Sequence, residues 1–298
     1  MRRRTLLLAA PALLSSRAGA VSGWPRVVED GLGRRVTITR EPRRIVAIFA
    51  SNTEMLAAIG GAGRIVGIES FTRFPPEVVG RPLVGGRLGF SAEAISRLEP
   101  DLVIMTPARN AAHSLTEPMA RIGVPTLVIT HRDVPRIFAN LRMLGLALGL
   151  EARSEALVAS LEARLAAVTR RIAGRAPVRV FAETSSTGAG VYGTVRPGTY
   201  SFDAVRLAGG ASVFPGLSPN GPSQVSGEAI LRADPAFYLV AGRPDQTAEV
   251  ARRTGFHTLS AVREGRVRMI GRAQFLIPGP RVLDGVESLS AMLHPVLA

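Results

Sequence analysis

The chain has 298 residues, 46% of them hydrophobic and 20% charged, a composition that excludes global disorder and can supply two domains of ordinary size. The net charge of +14 comes from 37 basic residues, all of them arginine, against 23 acids. Because these arginines are dispersed and not clustered into a stripe, we expect no nucleic-acid partner.

Residues 1–20 have the pattern of a cleavable export signal. A basic start precedes an apolar core at residues 6–14, and a small-residue cleavage site follows at residues 18–20. The chain contains no cysteine that could carry a lipid at this site. We therefore expect a free protein in a Gram-negative periplasm, exported by the Sec or twin-arginine route and not a lipoprotein.

The first half alternates short strands and helices. Residues 27–40 predict a β-hairpin, and the apolar run at residues 44–50 predicts a strand buried on both faces. A helix is then expected to begin at Ser51 or Asn52. Further strands are expected at residues 64–68, 83–84 and 127–130. This alternation predicts parallel winding, with ligands at the loops that follow the carboxyl ends of the strands.

One stretch occurs twice, at residues 91–105 and again at residues 226–240. Each copy begins with a serine that can cap a helix, places an acid in the first turn, and reaches a proline before an apolar, β-rich run. The identical pairs are Ser91/Ser226, Glu93/Glu228, Ala94/Ala229, Ile95/Ile230, Arg97/Arg232 and Pro100/Pro235. A short helix that leads into a buried strand in each half predicts a molecule of two lobes.

A long helical stretch separates the two halves, and its regular apolar spacing predicts a helix over residues 151–173 about 35 Å long. The second half then predicts strands at residues 178–183 and 266–270 and helices at residues 202–207, 259–263 and 281–293. The expected organisation is a signal at residues 1–20, an N-terminal lobe at 21–132, a helical linker at 133–174 and a C-terminal lobe at 175–298.

Sequence patterns of catalysis are weak. GAGVYG, at residues 188–193, has the glycine spacing of a dinucleotide-binding loop but lacks a helix directly after it. The four histidines are scattered, and the chain has neither a G-x-S-x-G motif nor a cysteine nucleophile. We therefore expect no catalytic residues, no resident metal and no cofactor. The alternative is a periplasmic enzyme, which would need a nucleophile–base pair or a metal cluster in its cleft.

Segments in both halves carry a family resemblance. They are DGLGRRVTI, PRRIVAIFASNTEMLAAIGGAGRIVGI and SAEAISRLEPDLVI, then SFDAVRLAGGASVF, VSGEAILRADPAFYLV and PGPRVLDGVESLSAMLHP. In this order they resemble the helical-backbone class of periplasmic substrate-binding proteins, which deliver iron-siderophores, haem or cobalamin to ABC importers. The resemblance implies an α/β fold of two Rossmann-like lobes bridged by one long α-helix, with the ligand cleft between them. It also implies an ABC permease of the inner membrane as partner, and we expect a monomer.

In that family a glutamate on the outer surface of each lobe docks onto arginines of the permease. By position these glutamates are Glu93 and Glu228, at equivalent places in the two repeat copies. A purely local role is the alternative, because the dipole at a helix N-terminus favours an acid there.

Relatives that bind anionic siderophores place arginines on the loops of the cleft, where guanidinium groups suit phenolate or carboxylate oxygens. Arg109 and Arg243 follow the two repeated strands, and Arg196 lies in a loop before a helix. Further ligand-binding candidates are Arg73, Arg87, Arg281, Ser51, Asn52, Tyr192, Tyr200 and Phe275.

Two departures from the family favour a siderophore. Haem-binding relatives carry a tyrosine directly after a Val-Gly pair like Val84-Gly85, and this chain has Gly86 there. Cobalamin-binding relatives use tryptophans in the cleft, whereas the one tryptophan here, Trp24, lies near the N-terminus. The predicted ligand is an anionic iron(III)-siderophore, with cobalamin, haem or an oxyanion as alternatives.

Overall fold

The computed structural model describes residues 23–86, 89–107, 113–243 and 245–295. The predicted export signal lies outside the described residues. The strands are β1 (Arg26–Glu29), β2 (Arg35–Ile38), β3 (Ile45–Ile48), β4 (Ile65–Ile68), β5 (Gly85–Gly86), β6 (Gly89–Phe90), β7 (Leu102–Met105), β8 (Thr126–Val128), β9 (Val178–Ser186), β10 (Val191–Thr194), β11 (Gly210–Ser212), β12 (Gln224–Ser226), β13 (Phe237–Gly242) and β14 (Val267–Gly271).

The α-helices are α1 (Ala50–Ala58), α2 (Ala92–Ser96), α3 (His113–Arg121), α4 (Val134–Leu148), α5 (Glu151–Ile172), α6 (Tyr200–Leu207), α7 (Gly227–Ala233), α8 (Asp245–Val250), α9 (Ser260–Arg263), α10 (Arg272–Leu276) and α11 (Val282–Leu293). Within the described ranges, none of these helices combines the length and the apolar character needed to cross a bilayer.

Two separate central sheets account for two lobes. The N-terminal lobe is built on a four-stranded parallel sheet in the order β4-β3-β7-β8. The C-terminal lobe is built on a six-stranded sheet with the path β12-β10-β9-β13-β14, and β11 also pairs with β9. The predicted hairpin is present as the antiparallel pair β1-β2. The α/β fold of two lobes bridged by a helix is therefore confirmed.

The repeated stretch has the same local structure in both lobes. Ser91 Oγ accepts a hydrogen bond from the backbone N–H of Ala94 at 3.1 Å, and Ser226 Oγ accepts one from Ala229 at 3.2 Å. The strands that follow, β7 and β13, are interior strands of their sheets. In each copy the turn between helix and strand contains an acidic residue with a left-handed backbone conformation. This residue is Glu99, with φ 46°, in the first copy and Asp234, with φ 38°, in the second.

The linker forms two packed helices, α4 and α5. α4 begins at Asp133, whose side chain accepts a hydrogen bond from Arg136 N at 2.7 Å, and ends at Gly149, which adopts a left-handed φ of 72°. α5 has 22 residues, a length of about 33 Å. Its side chain Arg164 pairs with Asp284 and Glu287 of α11 at 2.6 Å each, which fastens the linker to the C-terminal lobe.

One cluster of buried side chains runs through both lobes and the linker. It includes Ile45 and Ile104 from the first sheet, Leu144 from α4, and Leu239 and Leu289 from the C-terminal lobe. Smaller clusters lie on the opposite face of each sheet. The lobes are therefore joined by a shared core as well as by the chain, which favours small relative movements.

The start of α1 differs from the prediction. Neither Ser51 nor Asn52 caps the helix; both lie inside it and are buried, at 1% and 0% exposure. The cap position is Phe49, which has a left-handed φ of 87°. The side chain of Asn52 instead donates from Nδ2 to the carbonyl of Ile48 at 2.6 Å, back toward the end of β3.

Candidate functional site

A cavity of about 550 Å³ lies between the lobes at the carboxyl ends of the parallel strands. The N-terminal lobe contributes the start of α1 and the segments that follow β4, β7 and β8. The C-terminal lobe contributes the first residue of α6, the last residue of α10 and the two residues that follow α10. The lining residues are Phe49, Ala50, Ser51, Glu69, Phe71, Gly86, Phe90, Thr106, His131, Tyr200, Leu276, Ile277 and Pro278. We call this cavity the interlobe pocket.

The walls of the interlobe pocket are mostly apolar and aromatic. Phe71 of the N-terminal lobe is 57% exposed, an unusual state for so large an apolar side chain. Tyr200, Leu276 and Ile277 line the side formed by the C-terminal lobe. Apolar walls with a few placed polar groups are typical of a small-molecule site.

Three polar side chains form a cluster on the wall of the N-terminal lobe. His131 Nε2 lies 3.2 Å from Thr106 Oγ1 and 3.5 Å from Ser51 Oγ. Thr106 Oγ1 donates its hydrogen to Asn52 Oδ1 at 3.3 Å, so it is left to accept one from Nε2. This assigns the hydrogen of the imidazole to Nε2. We call these residues (Ser51, Thr106 and His131) the polar cluster.

The imidazole of His131 is neutral at neutral pH. Burial lowers its pKa from 6.5 to about 4, because the positive form loses its hydration in the pocket wall. Its Nδ1 atom is buried and has no hydrogen-bond partner among the described residues. The polar cluster can therefore offer hydrogen bonds to a ligand without adding a positive charge.

Among the described lining residues, Glu69 is the one whose side chain ends in a carboxylate, and none ends in a guanidinium group. It is 3% exposed, and its carboxylate accepts hydrogen bonds from the backbone N–H of Phe71 at 2.6 Å and from Thr72 Oγ1 at 3.0 Å. These bonds hold the turn after β4 that carries Phe71 to the pocket. A carboxylate in this place gives no attraction to an anionic ligand.

The predicted ligand-binding residues are only partly brought together. Ser51 and Tyr200 line the interlobe pocket, and Asn52 lies directly behind it through its bond to Thr106. Arg87 and Arg109 lie outside the described residues.

The four other candidate arginines are not among the lining residues of the interlobe pocket. Arg243 is exposed and pairs with Asp245 at 3.3 Å, and Arg73 donates to the carbonyl of Ser70 at 2.7 Å. Arg196 is half-buried in the turn that precedes α6. Arg281 pairs with Glu54. The role of these four arginines in ligand binding therefore stays a prediction.

Two aromatic candidates belong to the core and not to the pocket. Phe275 is 1% exposed, and Tyr192 is 6% exposed beneath the guanidinium of Arg253, 4.7 Å above its ring. Tyr192 also packs on Phe256 with ring centroids 5.3 Å apart. Both rings are buried and neither lines the interlobe pocket, so the structure gives no support to the predicted contact with a ligand.

Sequence reasoning missed several pocket residues, above all Phe71, Phe90 and His131. His131 follows the strand predicted at residues 127–130 directly, so the rule that ligands bind after strand ends could have found it. Phe71 lies in the predicted loop after another strand. The chain from Leu276 to Pro278 carried no local signal, since its role depends on how the lobes pack.

The two glutamates expected to dock the permease occupy matching surfaces. Glu93 lies in the first turn of α2 and Glu228 in the first turn of α7, and both are exposed. The side chain of Glu93 pairs with Arg97 one helical turn later.

Comparison with known proteins places this architecture in a family. Residues 45–273 match the family model described as periplasmic binding protein, a range that includes the linker, most of both lobes and every lining residue of the interlobe pocket before Leu276. The chain belongs to the periplasmic binding protein family. The resemblance to substrate-binding proteins of ABC importers is thereby confirmed.

Similar proteins span nearly the whole chain. An uncharacterised ABC transporter substrate-binding lipoprotein of Bacillus subtilis is 25% identical over 277 residues, 91% of this chain and 86% of that protein. A vitamin B12-binding protein of Pectobacterium carotovorum is 26% identical over 254 residues, 85% of this chain and 88% of that protein. The periplasmic haem-binding protein of Roseiflexus sp. RS-1 superposes with a TM-score of 0.72 at 26% identity, covering 85% of this chain and 98% of that structure.

The predicted localisation is contradicted by the first of these relatives. We expected a periplasmic protein that is not a lipoprotein, and the Bacillus subtilis relative is a lipoprotein of the same substrate-binding type. That prediction, which rested on the absence of a cysteine that could carry a lipid at the predicted cleavage site, was wrong by this comparison.

Proposed function

We propose that this protein is the substrate-binding component of an ABC importer and that the interlobe pocket holds a metal chelate of the tetrapyrrole type. The observation that supports this choice of ligand is the apolar character of the pocket wall. Its described lining residues are aromatic and aliphatic apart from the neutral polar cluster and Glu69. Such walls bury the broad apolar faces of a macrocycle, at roughly 25 cal/mol for each Å² removed from water.

Relatives support this class of ligand. Among the similar proteins are a vitamin B12-binding protein and a haem-binding protein. The ligand in each of these names is a metal complex of a tetrapyrrole-type macrocycle. The chain departs from both patterns, however. A Cβ atom at Gly86 would lie 2.0 Å from Ser70 Oγ, so a tyrosine at this position requires Ser70 to move. Trp24 packs near Gly149 of the linker, away from the pocket.

A ferric siderophore, which the sequence analysis placed first, is the second candidate. The observation in its favour is the order of residues along the chain. Arg87 directly follows the lining residue Gly86, and Arg109 comes three positions after the lining residue Thr106. Cations at these positions would suit the phenolate or carboxylate oxygens of an anionic chelate.

A titration of the purified protein against a panel of chelates tests the proposal. The panel contains the chelates cyanocobalamin, haemin, a ferric catecholate and a ferric hydroxamate, together with the oxyanion molybdate, and binding is followed by intrinsic fluorescence or ligand absorbance. We expect cyanocobalamin or haemin to bind most tightly. Tightest binding of a ferric siderophore would replace the first candidate with the second, and failure of every chelate would refute the assigned role.

A matched pair of variants tests whether the pocket is the binding site. Phe71→Ser removes an exposed aromatic side chain from the pocket, whereas Leu32→Ser removes an aliphatic side chain of similar exposure, 48%, from the hairpin. We expect Phe71→Ser to weaken binding about tenfold or more and Leu32→Ser to leave it unchanged. Equal effects of both variants would exclude the interlobe pocket as the site.

We further propose that Glu93 and Glu228 dock the permease. Their support is the matching exposure of both acids on equivalent helices of the two lobes. The double variant Glu93→Ala/Glu228→Ala should bind the chelate normally while transport by the reconstituted importer falls. Glu264→Ala, which removes an exposed acid outside the repeat, is the control. Loss of chelate affinity in the double variant, or unchanged transport, would reject the docking role.

A further inference from the structure

A salt bridge joins the two lobes directly beside the interlobe pocket. Glu54 lies in α1 of the N-terminal lobe, and Arg281 lies at the residue before α11 of the C-terminal lobe. Glu54 Oε2 is 2.7 Å from Arg281 Nη2, and Oε1 is 3.5 Å from the backbone nitrogen of Arg281. The side chain of Glu54 is 3% exposed and that of Arg281 is 27% exposed. The pair is therefore largely shielded from solvent.

Two further contacts seat this part of the C-terminal lobe on the N-terminal lobe. The guanidinium of Arg281 lies over the ring of Phe74, 4.1 Å from its centroid, in the geometry of a cation–π contact. The backbone at Gly279 lies so close to Glu54 that an added Cβ would be 2.7 Å from Oε1. Residues 279–281 are thus held by a charge, an aromatic face and a close backbone approach.

Both partners are continuous with the walls of the pocket. Ser51, the last lining residue of α1, is three positions before Glu54 on the same helix. On the other side, the lining residue Pro278 is adjacent to Gly279. A contact that fixes Glu54 against Arg281 therefore also fixes the separation of these two walls.

A contribution to the free energy of folding is a weak reason for a protein to contain such a buried ion pair. Removing two charges from water costs about as much as their attraction returns, so a buried ion pair contributes little more than apolar side chains would. Its geometry is specific, however, because a guanidinium binds a carboxylate in few orientations. The pair is better suited to setting a position than to adding free energy of folding.

We propose that Glu54 and Arg281 form an interlobe clamp that positions the two walls of the pocket and thereby controls how long a ligand stays bound. Both are positioning residues, since neither belongs to the pocket lining. The clamp depends on the proposed function because it requires the ligand to bind in the interlobe pocket, but it does not depend on which chelate binds there.

The separation of the lobes tests the clamp without any ligand. The chain has no cysteine, so Val79→Cys on one lobe and Asn220→Cys on the other give two specific sites for spin labels. Pulsed electron resonance then measures the distance between labels. We expect Arg281→Met to broaden the distribution and shift it to longer distances, and Arg281→Lys to restore most of the parent distribution.

Arg142→Met is the matched control. Arg142 pairs with Glu155 at 2.8 Å and Glu162 at 3.0 Å, and all three residues lie in the linker. This variant removes an arginine with two carboxylate partners but no contact between lobes, so the label distance should not change. A parent-like distribution in Arg281→Met, or an equal shift in Arg142→Met, would overturn the clamp.

Ligand release supplies the second readout, measured with cyanocobalamin or haemin, whichever the parent binds. Arg281→Met should raise the dissociation rate about tenfold, Arg281→Lys less than about threefold, and Arg142→Met not at all. An unchanged rate in Arg281→Met would refute control of residence. If Arg281→Met fails to fold, the double variant Glu54→Gln/Arg281→Gln, which leaves no unpaired charge, replaces it in both measurements. If the parent binds neither chelate, the proposed ligand class fails while the label distances still decide the clamp.

Discussion

Replacing His131 by glutamine should reduce the loss of stability in acid. The unfolded chain takes up a proton on this imidazole below pH 6.5, whereas the folded protein does so only below about pH 4, because burial opposes the charge. Between these values the unfolded state binds more protons, so the free energy of unfolding falls as pH falls. The contribution is fully present above pH 6.5 and is lost by about pH 4.

The magnitude follows from the shift in pKa. A change from 6.5 to about 4 corresponds to about 3 kcal/mol at 1.36 kcal/mol per unit. At pH 4.5 most of this has been lost. Between pH 7 and pH 4.5 the parent should therefore lose about 2 kcal/mol more than the variant His131→Gln. Glutamine keeps a side-chain N–H that can still reach Thr106, so the hydrogen bond is retained without a titrating group.

Urea unfolding followed by circular dichroism at a series of pH values measures this difference. His257→Gln, which replaces an exposed histidine in a short turn of the C-terminal lobe, serves as the control and should match the parent. The same slope with pH in His131→Gln as in the parent would refute the buried, neutral imidazole. If His257→Gln reduced the dependence of the free energy of unfolding on pH by the same amount, the change would come from surface charge and not from the buried imidazole.

Substitutions at three further positions should affect the urea midpoint in predictable ways. Gly145→Ala should cost about 1–3 kcal/mol, because the new Cβ would lie 2.0 Å from Ser154 Oγ; an unchanged midpoint would show that α4 and α5 can separate freely. Glu99→Val should cost about 1–2 kcal/mol at φ 46°, whereas Glu99→Gly should cost little, and equal losses would exclude backbone strain. Arg253→Met should cost about 3–5 kcal/mol by leaving the buried carboxylate of Glu183 without its cationic partner, although the hydroxyl of Tyr238 still donates to it, and a loss below about 1 kcal/mol would contradict that pairing.

Much of the fold could be predicted because its signals are local. The apolar run of β3, the regular spacing of α5 and the serine caps of the repeat each depend on neighbours within a few residues. The repeat also predicted the two lobes, and the caps at Ser91 and Ser226 have the same geometry. The strand pair β10 and β12 was missed, because its short segments have no strong alternation of apolar and polar residues.

The pocket was harder to predict because it is assembled from distant parts of the chain. Phe71, His131 and Leu276 meet only through the order of the strands and the packing of the lobes, which no local pattern encodes. Arginines were a poor guide for a related reason. In a chain with this many, an arginine after a strand can pair with a close neighbour, as Arg243 does with Asp245.

A crystal structure of the protein with its tightest-binding chelate tests the central claim most directly. The chelate should lie between the two lobes, in contact with Phe71 and His131 on one side and with Tyr200 and the chain from Leu276 to Pro278 on the other. A chelate bound on the outer face of a single lobe, with the interlobe pocket empty, would contradict the account.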